Sequence, residues 1–158
     1  MTAARPPKIP ESVLVVIHTP ALDVLLIERA DRPGFWQSVT GSKDTLDEPP
    51  RLTALREVQE ETGIVVGAPG IPAEALRDWG LRNVYEIYPV WRHRYAPGVT
   101  HNTEHVFGFL VDSATVATLD PAEHSAQLWL PWQEAMAKVF SPTNRDAIRQ
   151  LQRRVIKS

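Results

Sequence analysis

Short apolar runs alternate with polar segments along the first half of the chain, and each run has the length of a β-strand. Residues 12–17 and 24–28 predict two neighbouring buried strands, and residues 36–39 predict a short strand that runs into Gly41. A further strand is expected near residues 64–66. Proline and glycine between the runs indicate turns and loops.

The second half of the chain predicts the remaining strands and two helices. Residues 67–82 are loop-rich, with a helical turn over residues 73–77. Residues 84–95 predict a long strand, closed by Pro97-Gly98, that pairs as a hairpin with residues 105–111; residues 127–130 predict another strand. Helices are expected over residues 132–139 and 143–156, the second of them amphipathic. Strands interspersed with few helices favour an α+β fold.

A helix is also predicted between Pro50 and Gly63. Proline suits a first helical turn, and glycine suits the left-handed position after the last turn. At about 100° per residue, Leu52, Leu55 and Val58 form one apolar stripe. The acidic residues of this helix fall on the other side, so we expect them to point away from the core.

Those acidic residues are Glu57, Glu60 and Glu61, which the helical spacing makes neighbours. Like charges at this spacing destabilise a helix, so their presence calls for a compensating partner. A divalent cation is the most economical partner, because hard ions such as Mg²⁺ take oxygen ligands. The alternative interpretation is a solvated acidic face without a ligand.

Composition narrows the class of protein. With 158 residues, 43% of them hydrophobic and 23% charged, the chain is expected to form one soluble domain over residues 1–158. The net charge of −2 gives no electrostatic case for a nucleic-acid surface. The chain has no cysteine, which excludes disulfides and thiolate metal sites. Without a signal peptide or a membrane-length apolar run, we expect a cytoplasmic protein with no obligate protein partner.

Residues 41–64 resemble the signature of the Nudix hydrolases, G-x5-E-x7-R-E-U-x-E-E-x-G-U, in which U is an aliphatic residue. Six residues separate Gly41 from Glu48, where the signature has five. We favour one extra loop residue over the alternative that Asp47 replaces the glutamate, because loops absorb insertions. The second half matches at every specified position: Arg56, Glu57, Val58, Glu60, Glu61, Gly63 and Ile64.

The resemblance implies a fold and a chemistry. The fold would be an α/β/α sandwich around a mixed central sheet, and the reaction would cleave a nucleoside diphosphate linked to a further group. The metal would be Mg²⁺, with Mn²⁺ possible, held by Glu57, Glu60, Glu61 and the carbonyl of Gly41. Arg56 would orient the acids through ion pairs.

Four further segments resemble the branch of Nudix enzymes that hydrolyse dihydroneopterin triphosphate in folate biosynthesis. They are residues 35–41, residues 92–104 (RHRYAPGVTHNTE), the pair Glu123-His124, and the S-x-x-N-R element at residues 141–145. This resemblance implies Mg²⁺-dependent hydrolysis to dihydroneopterin monophosphate and diphosphate.

The same resemblance implies roles for individual residues. Glu123 would join the metal ligands and serve as general base. Lys8 and Arg29 would hold phosphate oxygens, while Thr40 and Ser141 would form hydrogen bonds with the substrate. The pterin side would be lined by Tyr85, Glu86, Ile87 and Tyr88.

Simpler interpretations stand beside these roles. Arg29 has Asp31 nearby for a plain surface ion pair, and Tyr85 and Tyr88 suit ordinary strand packing. Two other functions are also open: a Nudix hydrolase of nucleoside triphosphates, and a non-catalytic module that binds a nucleotide. The R-H-R-Y-A-P-G-V-T run favours the pterin substrate over other triphosphates. The intact acids argue against a non-catalytic module. The longer loop after Gly41 is the feature that supports such a module.

Overall fold

A seven-stranded mixed sheet forms the centre of the computed structural model, which describes residues 6–113 and 117–156, with the backbone alone for residues 155 and 156. The other residues of the expected 1–158 domain lie outside this description. The strands are β1 (Glu11–His18), β2 (Asp23–Arg29), β3 (Trp36–Gln37), β4 (Val39–Ser42), β5 (Leu76–Glu86), β6 (His101–Leu110) and β7 (His124–Pro131).

Strand β1 lies at the middle of the sheet, parallel to β6 on one side and antiparallel to β4 on the other. Its pairing with β2 is limited to His18 opposite Val24. Strand β2 pairs along its whole length with β7 and, near its end, with β3. The β3–β4 segment therefore occupies the opening between β1 and β2, which places Gly41 inside the sheet.

Helices cover both faces of the sheet. Helix α1 (Pro50–Thr62) packs on one face, and α2 (Trp132–Lys138), α3 (Pro142–Arg149) and α4 (Leu151–Ile156) follow β7. Alternate residues of β1 enter two cores, Val13 with Val58 of α1 and Leu14 with Ile148 of α3. The predicted α+β sandwich with a mixed sheet is thus confirmed. None of the helices in the described ranges is long and apolar enough to cross a membrane.

The predicted ends of α1 are confirmed, and of its predicted apolar stripe Val58 and Leu55 pack in or against the core, whereas Leu52 does not. Leu52 is 53% exposed, whereas the inward side carries Ala54, Val58 and Glu61. Small residues at this interface let the helix approach the sheet closely, and that approach buries an acid that we had expected to point outward. One member of the acidic group therefore belongs to the interior.

One strand prediction and part of one loop prediction are also wrong. Residues 64–66 form no strand, since Gly63 and Gly67, both with positive φ, bracket an irregular segment. The segment expected to be a loop up to residue 82 already enters β5 at Leu76, because a bulge between Asp78 and Leu81 keeps the ladder with β6.

The predicted strand over residues 84–95 ends early, and the predicted last helix is two helices. Strand β5 stops at Glu86, and a 3₁₀ helix (Pro89–Arg94) follows, since proline has no N–H for the ladder. The antiparallel pairing of β5 with β6 is confirmed, although the connection is this 3₁₀ segment rather than a tight turn. The helix expected over residues 143–156 breaks at Gln150, between α3 and α4.

Candidate active site

The contact between α1 and β4 brings a carboxylate against a glycine. A Cβ atom added to Gly41 would lie 2.0 Å from Cδ of Glu57, a distance that no pair of carbon atoms tolerates. The Glu57 side chain therefore occupies the space that a side chain at residue 41 would fill. The backbone conformation of residue 41 does not itself require glycine, because Gly41 is not among the positive-φ residues. Glycine is needed here because it leaves room for the Glu57 carboxylate.

A second carboxylate, Glu61, is buried beside the first. It is 2% exposed, and neither of its oxygens accepts a hydrogen bond within the described residues. The Nε2 atom of His124 lies 3.5 Å from Oε1 of Glu61. Burial, followed by the charges of Glu57 and Glu123, raises the pKa of Glu61 well above its usual range. Burial also raises the pKa of Glu57.

His124 cannot neutralise this pair of acids. Burial and the nearby Arg29 lower the pKa of His124 to about 4, so its ring is neutral at pH 7. The Nε2 atom also lies 3.4 Å from Nε2 of Gln37. His124 therefore supplies no positive charge to Glu57 and Glu61, and we refer to these two carboxylates as the acid pair.

The acid pair fits a divalent cation. Both oxygens of the buried Glu61 are free, and Glu57, whose side chain is 12% exposed, is paired with Arg56. Two adjacent carboxylates with so little compensation are a costly arrangement unless a further positive charge is present. Oxygen donors of this kind suit a hard cation. Glu60 and Glu123 are outside the pair: the Glu60 side chain is 55% exposed, and Glu123 lies at the surface near Glu61. In the described ranges, no three acidic or histidine side chains are already gathered at metal-binding distances.

Arg56 links Glu57, one member of the acid pair, to the preceding loop. Its guanidinium donates to Oε1 of Glu57 at 2.8 Å, to Oε1 of Glu48 at 2.9 Å and to the carbonyl of Ser42 at 3.1 Å. The Nε atom lies 3.0 Å from a carboxylate oxygen of Asp44. This agrees with an orienting role, since one planar group fixes both β4 and α1.

Of Glu48 and Asp47, the two candidates for the signature glutamate, Glu48 is the one that pairs with Arg56. It also accepts hydrogen bonds from the amide of Asp44 at 3.1 Å and from the hydroxyl of Thr53 at 2.6 Å. Asp47 instead accepts from its neighbour Thr45. The geometry agrees with one extra loop residue after Gly41.

We expect Glu48→Gln to make the protein less stable at pH 7 and to reduce its acid sensitivity. Partial burial favours the protonated acid, but the hydrogen bonds from Arg56, Thr53 and Asp44 outweigh it and lower the pKa of Glu48 to about 2. A lowered folded-state pKa gives stability that is complete above about 4.5 and lost as the pH falls towards 2.

Urea unfolding at several pH values between 2.5 and 7 measures this prediction. The free energies of unfolding of wild type and variant should converge as the pH falls. A constant difference over the whole range would contradict the assignment. Asp47→Asn is the matched control, because Asp47 does not contact Arg56.

Cationic side chains lie beside the acid pair. Lys8 is anchored by its amide, which donates to the carbonyl of Arg94 at 2.8 Å. Burial, followed by the charges of Arg94 and Arg29, lowers the pKa of Lys8 to about 8, while Glu57 and Glu61 act in the opposite direction. These mutual effects place the three cations and the acid pair around one region.

Arg29 joins this region to an aromatic cluster. Its guanidinium lies 4.8 Å from the ring centre of Trp91 and also forms a two-pronged ion pair with Asp31 at 2.8 and 2.9 Å. Thus the ion pair that we considered as an alternative for Arg29 is present. The aromatic cluster consists of Phe35, Tyr88, Trp91 and Phe140.

An open cavity of about 260 Å³ lies next to the aromatic cluster, between the loop after β2 and the 3₁₀ helix. Its lining combines cationic and aromatic side chains, which suits a ligand with phosphates and a flat ring. The residues that line it are Asp31, Arg32, Val90, Trp91, His93 and Arg94.

The residues expected on the pterin side have different environments. The hydroxyl oxygen of Tyr85 accepts a hydrogen bond from Asn102 at 3.1 Å, and Ile87 is buried. Glu86 is 67% exposed and pairs with Arg92. Tyr88 belongs to the aromatic cluster. Their contacts with a substrate remain predictions.

The two hydroxyl residues already have partners in the protein. Thr40 donates to the carbonyl of Val13 at 2.9 Å. Ser141 is the N-cap of α3, where its Oγ accepts from the amide of Asn144. The Asn144 side chain in turn bonds to Ser38, so the S-x-x-N element fixes α3 to the β3–β4 segment. Roles of both hydroxyls towards substrate also remain predictions.

Sequence analysis missed Trp91 and the anchoring carbonyl of Arg94. Both lie in a segment that we interpreted as strand, where side chains alternate between faces. Pro89, which cannot continue a central ladder, was the available signal for a break there.

This chain belongs to the NUDIX family, since the model of the NUDIX domain matches residues 8–151. The family binds small-molecule nucleotide substrates and generally uses divalent metal ions, in keeping with the acid pair and its neighbouring cations.

Within this family the chain is similar to dihydroneopterin triphosphate diphosphatases. It is 38% identical to the Haemophilus influenzae enzyme over 141 residues, which covers 89% of this chain and 85% of the relative. It is 42% identical to the Escherichia coli enzyme over 144 residues, which covers 90% and 92%. The solved structure of the E. coli dihydroneopterin triphosphate pyrophosphohydrolase superposes with a TM-score of 0.85 at 40% identity, covering 98% of this chain and all of that one.

Proposed function

We propose that this protein hydrolyses dihydroneopterin triphosphate to dihydroneopterin monophosphate and diphosphate, with Mg²⁺ as the preferred metal ion. The observation that carries the hydrolysis of a polyphosphate is the acid pair, of which Glu61 is buried, beside Lys8, Arg29 and Arg94. The similarity to two diphosphatases over about nine tenths of the chain supports the pterin substrate. We also propose that residues 1–158 form one domain; the cytoplasmic location stays a prediction.

The charged residues of the site have different roles in the reaction. A divalent cation, when bound, would neutralise phosphate charge and make a water molecule more acidic. Glu57 and Glu61 would hold that cation, and Arg56 keeps Glu57 in place. Lys8 and Arg29 would bind phosphate oxygens, with Arg29 exchanging Asp31 for the substrate.

Glu123 is positioned at the surface beside the acid pair and would accept the proton of the attacking water on its carboxylate. Oxygen of that water forms a bond to the attacked phosphorus as the bond from that phosphorus to a bridging oxygen breaks, and the bridging oxygen leaves on the monophosphate or the diphosphate product. Because the leaving group departs with the bonding electrons as a stable anion, the reaction needs no nucleophilic side chain.

We expect the kcat/KM of the wild type to fall as the pH rises through about 8, where Lys8 loses its proton. The neutral amine no longer attracts a phosphate, and one charged hydrogen bond is worth about tenfold or more in binding. The arginine of Lys8→Arg keeps its charge at alkaline pH, so the kcat/KM of this variant should stay constant up to about pH 9.5.

Steady-state kinetics from pH 6.5 to 9.5 test this prediction, with Lys138→Arg, outside the site, as the control that keeps the wild-type profile. If Lys8→Arg falls with pH as the wild type does, Lys8 is not the group responsible.

The experiment that tests the function is diphosphate release from dihydroneopterin triphosphate beside a panel of nucleoside triphosphates, with Mg²⁺ and then Mn²⁺. A strong preference for the pterin supports the proposal. Preference for a nucleotide keeps the chemistry and removes the pterin assignment. Binding of Mg²⁺ without any turnover favours the non-catalytic module.

A further inference from the structure

A row of polar side chains crosses the sheet on the face opposite α1. Ser12 pairs in register with Glu104, Glu104 pairs with Asn83, and Asn102 pairs with Tyr85, so all five side chains share one face. We call these residues the polar row. Further along the same strands this face is apolar and packs under α3, so polar groups here need a reason.

Glu104 is the charged member of the polar row and is 4% exposed. It receives one long hydrogen bond, at 3.4 Å, from Asn83, and the Thr143 hydroxyl lies close enough to act on its pKa. A carboxylate has about four acceptor positions, so about half of its capacity is unused. Burial raises the pKa of Glu104 above its usual range, as expected for a carboxyl with too few donors.

Asn102 adds a second unused acceptor. It is 1% exposed, and its Nδ2 donates to the Ser12 hydroxyl at 2.7 Å and to the Tyr85 hydroxyl at 3.1 Å. Its Oδ1 accepts no hydrogen bond from any described residue. A buried carbonyl oxygen without a donor is costly, and the same face carries Glu104 about 7 Å along the strand.

The polar row lies at a suitable distance from the acid pair. Ser12 pairs with Ser42, the residue after Gly41, as well as with Glu104. Since neighbouring strands are about 4.8 Å apart, Glu104 lies about 10 Å across the sheet from Ser42. The two groups lie on opposite faces of the sheet, and Lys8 connects them: its ammonium lies 5.7 Å from the centre of the Tyr95 ring and interacts with the charges of Glu57 and Glu61. Tyr95 in turn interacts with Tyr85 of the polar row. A substrate whose phosphates bind beside Lys8 can therefore place its ring towards Glu104.

We propose that Glu104, assisted by Asn102, determines ring specificity by accepting hydrogen bonds from the amino group and adjacent ring N–H of a 2-amino-4-oxopyrimidine ring. This donor pair occurs in pterins and in guanine and is absent from adenine. Glu86, which we expected on the pterin side, is exposed and already paired with Arg92. The inference rests on the proposed function for the identity of the pterin, but the ring chemistry can be tested separately.

The test is kcat/KM of Glu104→Gln for dihydroneopterin triphosphate, guanosine triphosphate and adenosine triphosphate. Glutamine keeps the size but loses the charge. We expect a ten- to hundredfold loss for the first two substrates, mainly through KM, and a change within about twofold for adenosine triphosphate. Inhibition by dihydroneopterin, which has the ring without phosphates, should weaken by a similar factor.

Two more variants make the test specific. Glu134→Gln, at an exposed acid on α2, is the control expected to match the wild type. Glu104→Asp retains charge and should keep part of the preference, which addresses the case in which Glu104→Gln does not fold. Thermal unfolding of each variant checks this directly.

The possible outcomes separate the inference from the proposed function. The role of Glu104 would be overturned if Glu104→Gln lost kcat/KM equally on all three substrates. It would also be overturned if Glu86→Gln lost the preference for the pterin and guanine rings while Glu104→Gln kept it. A wild type that prefers guanosine triphosphate through Glu104 would retain the ring chemistry and refute the pterin assignment. A wild type that prefers the pterin, together with an unaffected Glu104→Gln, would support the pterin assignment and refute the role of Glu104.

Discussion

Glu61→Gln is expected to lower kcat by about a thousandfold. With one of the two carboxylates that would hold the cation removed, the bound cation stabilises the transition state by several kcal/mol less. The metal-free variant should nevertheless melt at a temperature at least as high as the wild type. Glu61 is buried without a hydrogen-bond donor among the described residues and lies beside Glu57, whereas an amide can donate to that carboxylate.

Two measurements check this expectation: diphosphate release at saturating Mg²⁺, and thermal unfolding with and without the ion. At a hundredfold excess over its Kd, a bound cation stabilises the wild type by about 2.7 kcal/mol, and the variant should gain much less. Glu134→Gln serves as the matched control. A folded Glu61→Gln protein with near-normal turnover would remove Glu61 from the metal site.

Gly41→Ala is expected to reduce kcat by about a hundredfold with little effect on folding. The new methyl group would lie 2.0 Å from Cδ of Glu57, so the carboxylate must move by an ångström or more. Displacements of that size in a catalytic group cost about a hundredfold in rate. Stability should change little, because the moving group is the end of a flexible side chain.

Gly108→Ala provides the contrast, because its Cβ would meet the Trp79 ring at 2.4 Å inside the core. That variant should lose stability, while the folded fraction keeps its turnover. Wild-type kcat in a folded Gly41→Ala protein would contradict the tight contact between α1 and β4.

The features that sequence predicted well are set by local spacing. The bounds of α1 follow from Pro50 and Gly63, and the neighbouring acids follow from helical periodicity. The burial of Glu61 could not be predicted, because it depends on how closely α1 approaches β4. A helical wheel of one segment contains no information about the partner surface.

The ring side of the site was harder to predict for a related reason. The bond between Asn102 and Ser12 joins residues 90 positions apart, and the Lys8 amide reaches the carbonyl of Arg94. Such pairings depend on the register of β1 with β6. Polar residues on a predicted strand indicated a polar face. Their hydrogen-bond partners could not be predicted, because those depend on how the strands pair in the sheet.

The central position of β1 also has a consequence for biosynthesis. Among the described strands this apolar strand is translated first, and its parallel partner β6 is made about 90 residues later. At about 5–20 residues per second, β1 spends roughly 5 to 20 seconds without that partner. During this interval it is exposed to chaperones and to other nascent chains, so slower growth at low temperature with abundant chaperone should favour the yield of native protein.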